Sequence, residues 1–269
     1  MAKFVFVHGA GHGAWCWYKV LPCLRQAGHA ALAVDLTSAG ISTVDPNQVR
    51  TLAHYSQPLI DLIESLPQGD KIVLVGHSLG GIVVTYAMEK YPSKIGAAIF
   101  VVAQMLPSGP KAIEIRQKAA MPGFLEIIDS FCTKDSEVAT SSSFKPEHRQ
   151  SVLYHLCSPE VKSRPKLLDP LLKLDFKQDV ELGNLLVKPN PLLPPSEIAV
   201  EYTKEKYGSI PRYYIKGIHD VLMPVAMQDY LLENNPPDGV LELPSDHSPF
   251  FSTPDALVEA LTSIATSLK

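Results

Sequence analysis

Two spacings of apolar residues alternate along the chain. Short, predominantly apolar runs fall at residues 3–7, 30–35, 71–75, 97–103, 212–216 and 239–243. Such runs suit strands buried on both faces. Between them the apolar residues recur at helical spacing. Residues 14–26 read as a helix with Gly28 as its C-cap. Residues 51–66 place Leu52, Tyr55, Leu59, Leu62, Ile63 and Leu66 on one helical face. Further helices are predicted over 79–90, 224–233 and 254–268, and 38–50, with Gly40 and Pro46, reads as a loop. Strand–helix alternation of this kind predicts the α/β class, with a doubly wound, mostly parallel sheet.

The alternation stops between Pro107 and Pro195. That stretch holds several prolines, the serine run 141–143 and no clear strand pattern, while 121–131 and 147–156 look helical. The expected organisation is therefore a core made of residues 1–106 and 196–269, with 107–195 inserted as a cap. Short helices laid over the core would build a substrate pocket and exclude water. An independent second domain fits less well, because the segment is short and the β/α pattern resumes after it.

The chemistry starts at Ser78. It lies in Gly76-His77-Ser78-Leu79-Gly80-Gly81, after the apolar run 71–75 and before a helical pattern. A serine between two glycines at a strand-to-helix turn is the nucleophile-elbow signature. The turn holds the hydroxyl up at the carboxyl end of the sheet. It also aims the next backbone N–H, that of Leu79, at a developing oxyanion. A serine hydroxyl is a weak nucleophile near neutral pH and needs a base, and the base needs an orienting acid. On such a fold these follow in the order serine, acid, histidine, each on a loop after a strand. His247 meets this condition after the run 239–243, and Asp220 meets it after 212–216. Asp246 adjoins His247, but neighbouring side chains on an extended loop diverge. Asp238 sits in a Pro-Pro-Asp-Gly turn, and His219 reads as a bystander. His77 adjoins the serine, yet the elbow turns its side chain away.

A second oxyanion donor is expected from the loop after the first strand, His8-Gly9-Ala10-Gly11-His12-Gly13, and the Ala10 N–H is assigned to it. The same loop has a rival reading. Gly9-x-Gly11-x-x-Ala14 with Asp35 further on imitates a dinucleotide fingerprint, and Tyr86-x-x-x-Lys90 imitates a dehydrogenase dyad. That reading leaves Ser78, Asp220 and His247 without a role.

Composition narrows the class. A chain of 269 residues, 46% hydrophobic and 19% charged, suits one globular domain with a large core. The net charge is −4 and no basic run occurs, which argues against a nucleic-acid partner. No apolar segment approaches a membrane span, and the first apolar run is too short for a signal-peptide core. Cys16, Cys23, Cys132 and Cys157 show neither paired nor metal-ligand spacing. Cys16 and Cys23 read as core thiols of one helix, and free thiols point to the cytoplasm.

The segment His8-Gly-Ala-Gly-His-Gly-Ala-Trp-Cys-Trp-Tyr18 resembles the start of the plant methylesterase and hydroxynitrile lyase family of α/β-hydrolases. Further resemblance lies at Gly28-His29, Asp35-Leu36, 38–41, 55–59, 71–81, 153–159, 207–212 and Asp246-His247, so it covers nearly the whole chain. The resemblance implies an α/β-hydrolase fold with a helical cap, a Ser78–Asp220–His247 triad, no cofactor and a homodimer. It also implies hydrolysis of the methyl ester of a small plant metabolite. The lyases of this family carry Thr where this chain has Gly9 and Lys where it has Ser248. The methylketone synthases replace the elbow serine, which is present here. The expected activity is therefore that of a carboxylesterase. Cyanohydrin cleavage and a small-molecule receptor role stand as the alternatives. The sequence departs most from the family pattern at 145–149 and 189–195, in the stretch that would line the acyl pocket.

Overall fold

The structure is a computed structural model that describes residues 1–118, 121–134, 137–157 and 176–268. Its strands are β1 (Lys3–Val7), β2 (Ala30–Val34), β3 (Ile72–His77), β4 (Ile95–Val101), β5 (Ile128–Cys132), β6 (Ala139–Phe144), β7 (Asn190–Pro191), β8 (Arg212–Gly217) and β9 (Gly239–Leu243). Its α-helices are α1 (Val20–Gln26), α2 (Leu52–Ser65), α3 (Gly80–Lys90), α4 (Lys111–Lys118) and α5 (Pro146–Leu153). After these come α6 (Phe176–Leu186), α7 (Pro195–Ile198), α8 (Val225–Asn234), α9 (Pro249–Ser252) and α10 (Pro254–Ser267).

Six strands form one sheet in the order β2-β1-β3-β4-β8-β9, and every pairing in it is parallel. All six residues of β3 are buried, as are Phe4–Val7 of β1. That double-sided burial explains why these strands read as unbroken apolar runs. From β1 the chain moves outward to β2, then returns across β1 to β3 and continues in the other direction. Right-handed crossovers then put α1 on one face and α2 and α3 on the other. The reversal between β1 and β3 opens a crevice at their carboxyl ends, the usual ligand position in open α/β sheets.

Helix ends follow local chemistry. Thr51 caps α2, its hydroxyl accepting from the His54 N–H at 3.1 Å. The predicted helix over 14–26 is two pieces, a 3-10 turn at Ala14–Trp17 and then α1. Cys16 is buried in the first piece and Cys23 only half-buried in the second.

The stretch after β4 differs from the expected helical insertion. Residues 121–131 are not a helix. A 3-10 turn at Phe124–Glu126 leads into β5, which pairs antiparallel with β6, and β6 with β7. The serine run 141–143 lies within β6 rather than in a loop. Gly123 at φ +78° ends any helix before it starts, and cross-strand pairing supplies what the local period does not show. The expected helix over 147–156 is present as α5, ending at Leu153. Residues 158–175 of the expected cap lie outside the described residues. Among the described residues no helix is long and apolar enough to cross a membrane.

Candidate active site

Ser78 sits between the end of β3 and the start of α3 with φ +51°, in the left-handed region. A side chain there stores strain of order 1 kcal/mol, which the turn must hold. Ser78 C=O accepts from the N–H groups of Gly81 at 3.1 Å and Gln104 at 2.9 Å, which fix the turn. Gly80 is required by a close approach. A Cβ there would lie 2.6 Å from the His8 carbonyl oxygen and 2.9 Å from that of Val7, so α3 starts pressed against the end of β1.

His247 lies on the loop after β9, and its Nε2 is 3.0 Å from Ser78 Oγ. Its Nδ1 is 2.7 Å from Asp220 Oδ2. Asp220, on the loop after β8, has its other oxygen filled by the N–H groups of Leu222 at 2.7 Å and Met223 at 2.9 Å. Those bonds leave only Oδ2 to face the imidazole. Ser78, Asp220 and His247 are all buried. Such a chain orients an imidazole so that Nδ1–H donates to the carboxylate and the Nε2 lone pair faces the hydroxyl. The structure brings these three side chains together. It leaves His219 and Asp238 exposed, with Asp238 accepting from the Arg212 N–H at 2.7 Å.

Asp246 does not reach the imidazole. Its Oδ1 accepts from the Ser248 N–H at 2.9 Å, and its Oδ2 accepts from the Leu156 N–H at 3.0 Å and lies 3.8 Å from Cys157 Sγ. The loop after β1 carries Ala10. Neither the Ala10 N–H nor the Leu79 N–H has an acceptor among the described residues. Backbone donors near a buried hydroxyl without partners are suited to receive negative charge from a ligand.

Three further histidines, His8, His12 and His77, lie around these side chains, and sequence reasoning assigned them no role. His8 Nδ1 donates to the Gly9 carbonyl at 2.8 Å, and its Nε2 accepts from the Leu36 N–H at 3.1 Å. His12 Nδ1 donates to the Ala10 carbonyl at 3.1 Å. His77 Nε2 donates to the His247 carbonyl at 2.7 Å, and its ring centroid lies 4.9 Å from that of His247. A carbonyl only accepts, so these contacts fix each tautomer. Burial disfavours the charged form of all three: it pulls the His12 pKa down to about 3 and lowers those of His8 and His77. For His8 and His77 the only sequence signal is position at the carboxyl end of a central strand, and His12, in the loop after β1, lacks even that.

The fingerprint that imitated a dinucleotide site has a structural occupant. Asp35 accepts from the Ala14 N–H at 2.6 Å and the Ile41 N–H at 3.2 Å, so its carboxylate braces two loops. Among the described residues no cluster of three or more His, Cys, Asp or Glu is arranged to hold a metal ion.

A profile of the alpha/beta hydrolase family matches residues 4–260. The putative chloroplastic methylesterase 13 of Arabidopsis thaliana is 36% identical over 264 residues, covering 98% of this chain. The chain spans only 56% of the length of that relative. Methyl jasmonate esterase 1 of Vitis vinifera is 36% identical over 273 residues, which cover 98% of this chain and 97% of the relative. The crystal structure of the methylesterase MES16 from Arabidopsis superposes with a TM-score of 0.81 at 35% identity, covering 99% of each chain. Parallel sheet, elbow serine and full-length likeness agree, and the chain belongs to the alpha/beta hydrolase family, in its plant methylesterase branch.

Proposed function

We propose that the protein is a serine carboxylesterase that cleaves the methyl ester of a small molecule through an acyl-enzyme. The observation that carries this reading is the hydrogen-bond chain from Ser78 Oγ to His247 Nε2 at 3.0 Å and from His247 Nδ1 to Asp220 at 2.7 Å. The relatives named as methylesterases support it.

Ser78 Oγ attacks the ester carbonyl carbon while its proton passes to His247 Nε2. The carbonyl electron pair moves onto oxygen, which the N–H groups of Ala10 and Leu79 receive. Collapse of this intermediate breaks the bond to the alcohol, and His247 protonates the departing methoxide to methanol. Water then gives a proton to His247 and attacks the acyl group. Ser78 regains its proton as the acid leaves. Asp220 holds Nδ1–H and stabilises the imidazolium formed twice in the cycle. In this reading residues 107–195 act as the cap that shapes the acyl pocket.

Two features favour ester hydrolysis over cyanohydrin cleavage. A Cβ at position 9 would lie 2.8 Å from Ser78 Cβ and 2.7 Å from His77 Nδ1, so this backbone leaves no room for the lyase threonine. Ser248 is fully buried and carries no charge to stabilise a leaving cyanide. Ser78→Ala tests the reading. Turnover of a simple aryl ester should fall by about four to six orders of magnitude with the circular dichroism spectrum unchanged. Full activity in that variant overturns the mechanism. One slow event per protein in the wild type, in place of many turnovers, would favour a receptor. A panel of methyl esters then identifies the acyl group.

The family resemblance further supports a homodimer. The free cysteines among the described residues support a reducing compartment, in our reading the cytosol. Light scattering that returns the monomer mass would refute the dimer, and import of a fluorescent fusion into an organelle would refute the location.

A further inference from the structure

The proposed oxyanion loop and the base loop are held by different parts of the core, yet one short turn outside the core touches both. Residues 154–157, directly after α5, form a turn closed by the Cys157 N–H on the Tyr154 carbonyl at 2.9 Å. Tyr154 is completely buried, and its hydroxyl is 2.8 Å from His12 Nε2. The Ala10 carbonyl can only accept, so His12 carries its proton on Nδ1. The neutral ring therefore presents a lone pair at Nε2, and Tyr154 is the donor. His12 also uses its own N–H to hold the Gly9 carbonyl at 3.3 Å. The Ala10 carbonyl is thus held by the His12 ring, whose orientation Tyr154 braces, and the Gly9 carbonyl by the His12 backbone N–H together with His8 Nδ1 at 2.8 Å. From the other end of the same turn, the Leu156 N–H holds Asp246, next to His247, at 3.0 Å.

We propose that the turn 154–157 aligns the two halves of the active site, with Tyr154 a positioning residue for the Ala10 N–H and Asp246 a positioning residue for His247. The inference rests on the hydrolase reading above and deepens it. Neither residue touches the reacting atoms. Their effect should appear in the transition state, where donor and base must be in place together, rather than in substrate affinity.

A third residue reports on the same device without altering a polar group. Gly183 in α6 faces the Tyr154 ring, and a Cβ there would lie 2.7 Å from Cε2, Cζ and the hydroxyl oxygen. Alanine in place of a helical glycine ordinarily stabilises a helix. Here it must displace the tyrosine that donates to His12.

The experiment compares wild type, Ser78→Ala, Tyr154→Phe, Asp246→Asn and Gly183→Ala on one aryl ester, with melting curves and binding of a boronic acid. The boronate stands in for the tetrahedral intermediate. The expected result is a kcat about tenfold or more lower in the last three variants, with KM within about twofold and boronate affinity reduced in step with kcat. A merely structural role would lower the melting temperature while leaving kcat per folded molecule and boronate affinity intact. That outcome overturns the proposal. If Tyr154→Phe does not fold, Gly183→Ala carries the same test. Wild-type kcat in Tyr154→Phe and Gly183→Ala, beside an inactive Ser78→Ala, refutes the positioning role and leaves the hydrolase reading standing. An active Ser78→Ala refutes the hydrolase reading itself.

Discussion

At Asp220 single hydrogen bonds fix which oxygen faces His247, and under the proposed mechanism that decides the chemistry. Its Oδ1 is committed to two backbone donors, so only an acceptor can stand there. In Asp220→Asn the amide oxygen must take that side, which turns the NH2 group toward His247 Nδ1. The imidazole then has to accept at Nδ1 and carry its proton on Nε2, facing Ser78 Oγ with a hydrogen in place of a lone pair. The base is present but in the wrong tautomer. We predict a kcat about 10⁴-fold lower on an aryl ester, the size of the same change in a trypsin-type triad, with folding stability little altered. A value within tenfold of wild type would show that His247 is not oriented this way. Ser78, Asp220 and His247 were legible because each follows an apolar run on a loop, and chain order completes the pattern. His8, His12 and His77 were not, since a lone histidine beside an apolar strand has no local mark of its partners. Asp246 was legible only in the negative, as a carboxylate that diverges from the imidazole. Its bond to Leu156 spans about ninety positions and has no local signature.

Helix α6 is attached to the core by charge as well as by apolar contact. Asp179, wholly buried on α6, pairs with Lys19 at the start of α1 and accepts from the Tyr18 hydroxyl at 2.6 Å. A buried ion pair contributes little net stability, but removing one partner leaves a desolvated charge. Lys19→Met should therefore destabilise the protein by about 3 kcal/mol or more, read from urea unfolding. The double variant Lys19→Met with Asp179→Leu should recover part of the loss. A change below about 0.5 kcal/mol in the single variant would show that the carboxylate is solvated or neutralised in another way. The elements most legible in the sequence were those whose burial is set by their own period: β1, β3, β4, α2 and α10. The β5–β6 pair was missed because β5 is largely exposed and its apolar spacing imitates a helix. Its stability comes from a serine-rich partner strand that, read alone, resembles a loop.

At the scale of the whole molecule, the carboxyl edge of the sheet gathers imidazoles that folding keeps neutral. In the unfolded chain His8, His12 and His77 each bind a proton near pH 6.5. In the folded protein burial lowers all three, His12 to about 3. The unfolded state therefore holds more protons than the native state once pH falls below about 6.5, and stability falls with it. Each such histidine contributes up to about 1.4 kcal/mol per pH unit, and for His12 the loss continues until its folded value near 3 is reached. Stability should be fully present above pH 7 and fall steeply through the mildly acid range. Urea unfolding at intervals from pH 7.5 to 4.5 measures the slope. His12→Gln separates this mechanism from acid titration of surface carboxylates. Whatever it does to absolute stability, it should flatten the acid limb by close to one proton, because one buried imidazole no longer differs between the two states. An unchanged slope would mean that His12 is protonated in the folded protein. Its Nε2 would then donate to the Tyr154 hydroxyl instead of accepting from it, while Nδ1–H would still donate to the Ala10 carbonyl, so the link from the turn 154–157 to Ala10 would persist with one bond reversed.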